Sequence, residues 1–119
     1  MTKKNIFLTG ATGLMGSAAL HEFCMRLDRF NLTLLVRPSK INRKKMAAYQ
    51  HKEGINIIWG DLLNYEDVLR CVKGMDIVLH VGGMVSPQCD KLPKTTLKVN
   101  VNAAKNIVKA INAQANADK

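Results

Sequence analysis

The chain has 119 residues, room for one domain, and 47% of them are apolar, which excludes a disordered polymer. No apolar stretch is long enough to span a bilayer. The Ile6-Phe7-Leu8 run is also too short for a signal-peptide core, so the expectation is a cytoplasmic protein with no membrane partner. The formal charge of +9 raises a nucleic-acid reading, but aromatic residues are scarce and none alternates with the basic ones as a stacking platform requires.

The first four residues lead into a predicted strand, Asn5–Thr9. It is followed at once by Thr9-Gly10-Ala11-Thr12-Gly13-Leu14-Met15-Gly16. A glycine-rich turn between a strand and a helix is where a doubly wound α/β fold holds a dinucleotide pyrophosphate. Gly10 permits the tight turn, Gly13 lets backbone approach phosphate, and Gly16 lets the helix pack closely. Thr12, Leu14 and Met15 complete the turn and helix start, whose N–H groups and dipole attract negative charge.

Leu14–Leu27 is the predicted first helix, with Ala19, Leu20, Phe23, Cys24 and Leu27 recurring at helical spacing. Leu32–Val36 is an unbroken apolar and β-branched run, as in a parallel strand covered on both faces. Asn42 is expected to cap a helix reaching about Lys52. Ile55–Trp59 reads as a third strand, and Asn64 as the cap of a helix over Tyr65–Val72 with Glu66 and Asp67 in its first turn. Asp76–Val81 is the fourth strand, closed by Gly82-Gly83. A polar loop with Pro87 and Pro93 then precedes a long helix from about Lys94 to Ala113. Cys24, Cys71 and Cys89 are odd in number and form no Cys-x-x-Cys, so neither a disulfide frame nor a metal site is expected.

This βα alternation implies right-handed crossovers and a doubly wound parallel sheet in the order 3-2-1-4, a Rossmann-like fold. The glycine turn and Gly82-Gly83 then share one crevice at the carboxyl ends of the strands. Asp28 lies roughly twenty residues beyond the glycines, the spacing of a ribose-binding carboxylate, but it precedes the second strand and so sits at the wrong end of the sheet. The residue at the correct end is Arg37, followed by Pro38, Ser39 and Lys40. A guanidinium there suits a 2′-phosphate, which favours NADP over NAD; a plain surface cation is the alternative. Asp61 in Gly60-Asp61-Leu62 is placed to accept from an adenine amino group with Leu62 against the base, or else to serve as a turn residue. His80 reads as a packed, hydrogen-bonded core histidine, and Ser86 as a turn former.

Taken together, Thr9-Gly10-x-x-Gly13-x-x-Gly16, Val36-Arg37, Gly60-Asp61-Leu62, Asp76-Ile77-Val78-Leu79-His80-Val81-Gly82-Gly83 and Val99-Asn100-Val101-x-x-x-x-Asn106 resemble the N-terminal half of an extended short-chain dehydrogenase/reductase of the NAD-dependent epimerase/dehydratase kind. Val36-Arg37-Pro38-Ser39 is most similar to the dihydroflavonol-reductase-like branch, which implies NADP. The resemblance puts Gly82 and Gly83 beside the nicotinamide ribose, with glycine where alanine is commoner. It also makes Asn100 a helix asparagine that supports the active site, where an ordinary polar residue is the alternative.

The family's Tyr-x-x-x-Lys pair is absent. Tyr49 is followed by Lys52, one position short, and Tyr65 by Leu69, so no catalytic residue is assigned. The expectation is an incomplete NAD(P)-binding segment over residues 1–119. Its intact parent would move a hydride between nicotinamide and a carbonyl or hydroxyl carbon of a small-molecule substrate. A non-catalytic dinucleotide sensor is the rival. A chain ending before a fifth strand would leave Ile77–Val81 as an exposed apolar edge, prone to pair with a second copy.

Overall fold

The computed structural model describes residues 3–81 and 93–117. Four strands, β1 (Lys4–Thr9), β2 (Phe30–Val36), β3 (Ile55–Trp59) and β4 (Ile77–His80), form one parallel sheet in the order β3-β2-β1-β4. Among the described residues four helices alternate with or follow them: α1 (Leu14–Cys24), α2 (Lys40–Met46), α3 (Tyr65–Val72) and α4 (Pro93–Ala117). The expected sheet order is the observed one.

The sheet is covered on both faces. Ile6, Leu8, Leu32, Leu34 and Val36 turn to one side and meet Leu20 of α1 and Met46 of α2. Phe7 and Leu35 turn to the other and meet Val68, Cys71 and Val72 of α3 with Ile107 and Ala110 of α4. Because both faces are buried, β1 and β2 read as continuous apolar runs rather than alternating ones. Each fully buried Leu, Ile or Phe contributes on the order of 1.5–3 kcal/mol.

Several boundaries differ from the sequence expectation, each for a local reason. α1 stops at Cys24, not Leu27. There the Met25 and Arg26 N–H groups bond three residues back, to Glu22 and Phe23, and the chain turns into β2. Leu27 still packs on the core from that turn, which is why its spacing mimicked helix. Ser39, not Asn42, caps α2: the Ser39 hydroxyl accepts the Asn42 N–H at 3.1 Å, while the Asn42 amide turns back to the Arg37 carbonyl. α2 ends at Met46 and continues as turns, with Tyr49 N–H on the Met46 carbonyl and Lys52 N–H on that of Tyr49. Asn64 caps α3 as expected, accepting from Glu66 and Asp67 N–H.

The amino ends of three strands are tied by a polar knot. The Asp76 carboxylate accepts the Asn5 N–H at 2.8 Å, and the Asp76 N–H returns to the Asn5 carbonyl. The Asn5 side chain donates to the Gly74 carbonyl and accepts from Asn31. These bonds fix the register in which Thr9 lies opposite both Leu35 and His80, so the carboxyl ends of the strands come level at the other edge. Beyond β4 no further strand is paired among the described residues, and Ile77 is 41% exposed there.

Candidate functional site

The carboxyl edge of the sheet carries the glycine turn. Gly10 has φ +75°, a left-handed conformation that disfavours any side chain. A Cβ on Gly16 would lie 1.7 Å from the Gly10 carbonyl oxygen, so the first turn of α1 rests directly on the turn backbone. The close packing expected of Gly16 is therefore against the turn itself, rather than against the sheet at large. Gly13 is different. Its backbone is extended (φ −83°), and an added Cβ would meet only the Gly10 oxygen at an ordinary 3.5 Å. Neither backbone strain nor internal packing calls for glycine there, and the residue is exposed.

α1 begins at that exposed glycine without a side-chain cap and without an acidic residue in its first turn. α-Helical geometry leaves the first N–H groups, those of Leu14, Met15 and Gly16, with no intrahelical acceptor. Leu14 and Met15 point outward, 88% and 74% exposed. The turn thus presents an uncapped helix start, a glycine with open space over it and two apolar side chains facing outward. This combination suits a phosphate group flanked by apolar surface.

Next to it, the turn and α2 enclose an open cavity of about 400 Å³ lined by Thr12, Gly13, Ser17, Lys45 and Tyr49 among others. Lys45 was not singled out from the sequence. Its ammonium reaches from α2 and donates to the Thr12 carbonyl at 3.1 Å, bringing a positive charge to the glycine turn. Lys45 sits about 100° round α2 from the inward-facing Met46, and only the approach of α2 to the turn shows what it touches.

Arg37 follows β2 and is exposed, with its carbonyl held by Asn42. Beyond β3, Arg43 of α2 stacks on Trp59, its guanidinium 4.5 Å from the ring centroid. Asp61 and Leu62 follow. The Asp61 carboxylate accepts the Leu63 N–H at 2.9 Å, so its turn role is real, and Leu62 packs beside the α3–α4 core. Asp28 lies in the turn ahead of β2, at the opposite edge, as its sequence position implied.

His80 is hydrogen-bonded as expected, but it is not a packed core residue. It is exposed at the carboxyl end of β4, with Nδ1 2.8 Å from the Thr9 hydroxyl, which also accepts the Val81 N–H. Partial burial lowers its pKa below the ordinary histidine value. Gly82, Gly83 and Ser86 lie outside the described residues. Asn100 falls on α4, and the described side chains of that helix begin after it. Among the described residues no group of His, Cys, Asp and Glu is arranged to hold a metal, and no helix is long and apolar enough to cross a membrane.

A parallel sheet in the order 3-2-1-4, with a glycine turn leading from its first strand into an uncapped helix, is a Rossmann-like α/β fold, the class of fold that holds dinucleotides at such a turn. The NAD dependent epimerase/dehydratase family matches residues 6–119, and the chain belongs to that family. Among its relatives, the UDP-glucose 4-epimerase of Rickettsia akari (strain Hartford) is 28% identical over 111 residues, covering 90% of this chain and 32% of the relative. The chain therefore spans about a third of the length of the curated relatives it matches. Two solved structures share the fold. Pen from Bacillus thuringiensis superposes with a TM-score of 0.80 at 23% identity, over 95% of this chain and 35% of that one. DesIV, the dTDP-glucose 4,6-dehydratase of Streptomyces venezuelae, described with NAD and TYD bound, gives 0.79 at 14%, over 93% and 36%.

Proposed function

We propose that residues 1–119 form the NADP-binding segment of an oxidoreductase or epimerase/dehydratase that moves a hydride at a carbonyl or hydroxyl carbon. The observation that carries this reading is the start of α1 at Gly13, uncapped and exposed, over a turn shaped by Gly10 and Gly16. Backbone N–H groups of Thr12 and of Leu14 to Gly16 hold the pyrophosphate, Gly13 lets it approach, and the Leu14 and Met15 side chains flank it. Asp61 accepts from the adenine amino group, with Leu62 against the base. By the family resemblance Gly82 and Gly83 are assigned to the nicotinamide ribose, and Asn100 to the support of that end. The bound nicotinamide supplies the hydride acceptor or donor; no side chain of this segment is assigned to proton transfer.

Arg37 and Lys45 support NADP as the cofactor. Both are exposed cations beside the site, and no acidic side chain stands between Arg29 and Lys52 to oppose a 2′-phosphate. The family itself is NAD(P)-dependent, and DesIV is described with NAD, so the two cofactors must be compared directly. Titration of the chain with NADPH and NADH, followed by cofactor fluorescence, tests the choice. NADPH is expected to bind at least tenfold more tightly, and Arg37→Ala to remove about tenfold of that preference, the worth of a partly solvated charge-assisted contact. Equal binding of the two by the unaltered chain, or an Arg37→Ala chain with unchanged preference, overturns the NADP assignment. The substrate is a small molecule, and β4, unpaired on its outer side among the described residues, is the edge through which two copies would associate.

A further inference from the structure

The turn from Gly60 to Asn64 is held by the neighbouring strand β2 and by its own helix α3. The Gly60 N–H donates to the Val36 carbonyl, the Asp61 N–H to the Asp67 carboxylate at 3.1 Å, and the Asn64 N–H to the Asp61 carbonyl. Asp67 is itself paired with Arg70. A Cβ on Gly60 would lie 2.5 Å from the Asp67 carboxylate oxygen, so glycine is what allows that carboxylate to reach the turn. The Leu62 carbonyl of this turn takes its partner from farther along the chain. The Asn106 side chain of α4, 44 residues away in sequence, donates to it at 2.8 Å.

This bond is not needed to bring α3 and α4 together. Val68, Cys71 and Val72 already meet Ile107 and Ala110, and Lys109 lies over the Tyr65 ring at 4.3 Å. What Asn106 adds is direction. A carbonyl fixed at residue 62 fixes the peptide plane on which the next N–H, that of Leu63, meets the Asp61 carboxylate at 2.9 Å. One carboxylate oxygen is thereby committed, and the other, Oδ2, takes no hydrogen bond among the described residues. The Asp61 rotamer is thus set through Leu62 and Leu63 by a residue on another helix.

We propose that Asn106 is a positioning residue for recognition of the base: by holding the Leu62 carbonyl it fixes the turn that aims the Asp61 carboxylate at the adenine amino group. The proposal rests on the dinucleotide reading above and deepens it. Discrimination between adenine and a 6-oxo purine follows, because Asp61 can accept from an amino group and meets only another acceptor at the oxo position.

The test is calorimetric titration of the 119-residue chain with ADP-ribose and with its hypoxanthine counterpart, in which the 6-amino group is replaced by oxygen. The unaltered chain is expected to favour ADP-ribose. Asn106→Leu, which fills the space without a donor, is expected to reduce that preference by about threefold to tenfold, the worth of one hydrogen bond. Asn106→Asp keeps the shape without the donor and gives the same result should the leucine variant fail to fold. A merely structural role would weaken both ligands equally; an unchanged ratio in a folded variant therefore overturns the proposal. A chain that binds both ligands equally before substitution also overturns it, with the dinucleotide reading left standing. Binding of neither ligand removes both.

Discussion

Substituting Gly16 and Gly13 separately distinguishes a glycine required by the fold from one required by a ligand. In Gly16→Ala the new methyl group would sit 1.7 Å from the Gly10 oxygen, 2.3 Å from the Gly10 carbonyl carbon and 3.0 Å from the Ala11 nitrogen. All three are backbone atoms, so no rotamer change relieves the overlap. Restoring an ordinary contact of about 3.4 Å moves α1 off the turn by roughly 1.7 Å, and overpacking of that kind costs about 1–3 kcal/mol or more. For a domain of this size, that corresponds to a loss of roughly 4–15 °C in Tm. Gly13→Ala meets nothing closer than 3.5 Å at a backbone angle that alanine accepts. Its small loss as a helix cap is offset by the stiffer unfolded chain, so Tm should stay within about 0.5–1 kcal/mol equivalent of the parent. Binding should respond differently. Thermal unfolding followed by circular dichroism, paired with ADP-ribose titration, is expected to show Gly16→Ala losing stability and affinity together. Gly13→Ala should lose affinity alone, because its methyl group occupies the path of the phosphates. An unchanged affinity in Gly13→Ala refutes the phosphate-approach argument, and an unchanged Tm in Gly16→Ala refutes the close packing of α1 on the turn.

Two further expectations concern titrating groups. His80 has a folded pKa below its ordinary value, so the unfolded chain takes up a proton first. Stability should be full above about pH 6.5 and fall as pH drops through that value toward the folded pKa, an effect that His80→Gln removes from a pH series of denaturant midpoints. A flat profile in the parent between pH 7 and 5 would contradict the lowered pKa. The Cys71 thiol is pushed up to about 12, chiefly by burial, with Arg70 opposing and Asp67 adding to the shift. At pH 8 it should resist iodoacetamide until the chain unfolds, whereas the less buried Cys24 reacts first; peptide mapping that finds Cys71 alkylated as fast as Cys24 would count against the burial.

Sheet order and the position of the glycine turn were legible in the sequence, because alternating apolar runs and glycine punctuation are local signals that the right-handed crossover rule converts to topology. Helix ends were less so. Ser39 and Asn42 are both good caps, and only the backbone shows Ser39 taking the role while Asn42 turns back to Arg37. His80 looked like core because its neighbours are apolar. Its exposure comes from β4 lying at the sheet margin, a property of strand order and not of composition. The contacts of Lys45 and of Asn106, the latter legible only as a motif position, were hidden for a shared reason. Each acts on a backbone carbonyl of a distant segment, Thr12 and Leu62 respectively, and a carbonyl carries no residue signature.

The polar knot at the amino ends of the strands also bears on the order in which the molecule assembles. Asn5 meets Asn31 across 26 residues, but Asp76 only across 71. Loop-closure entropy makes the longer closure about 0.9 kcal/mol more costly, from 1.5RT ln(71/26). The β1–β2 ribbon, with α1 seated on its glycine turn, is thus favoured to form before β4 docks. The contact between Thr9 and His80 then forms last, in the same event that aligns Asp76 with Asn5. A slow refolding phase that restores adenosine binding before His80 regains its native titration would be the kinetic trace of that order.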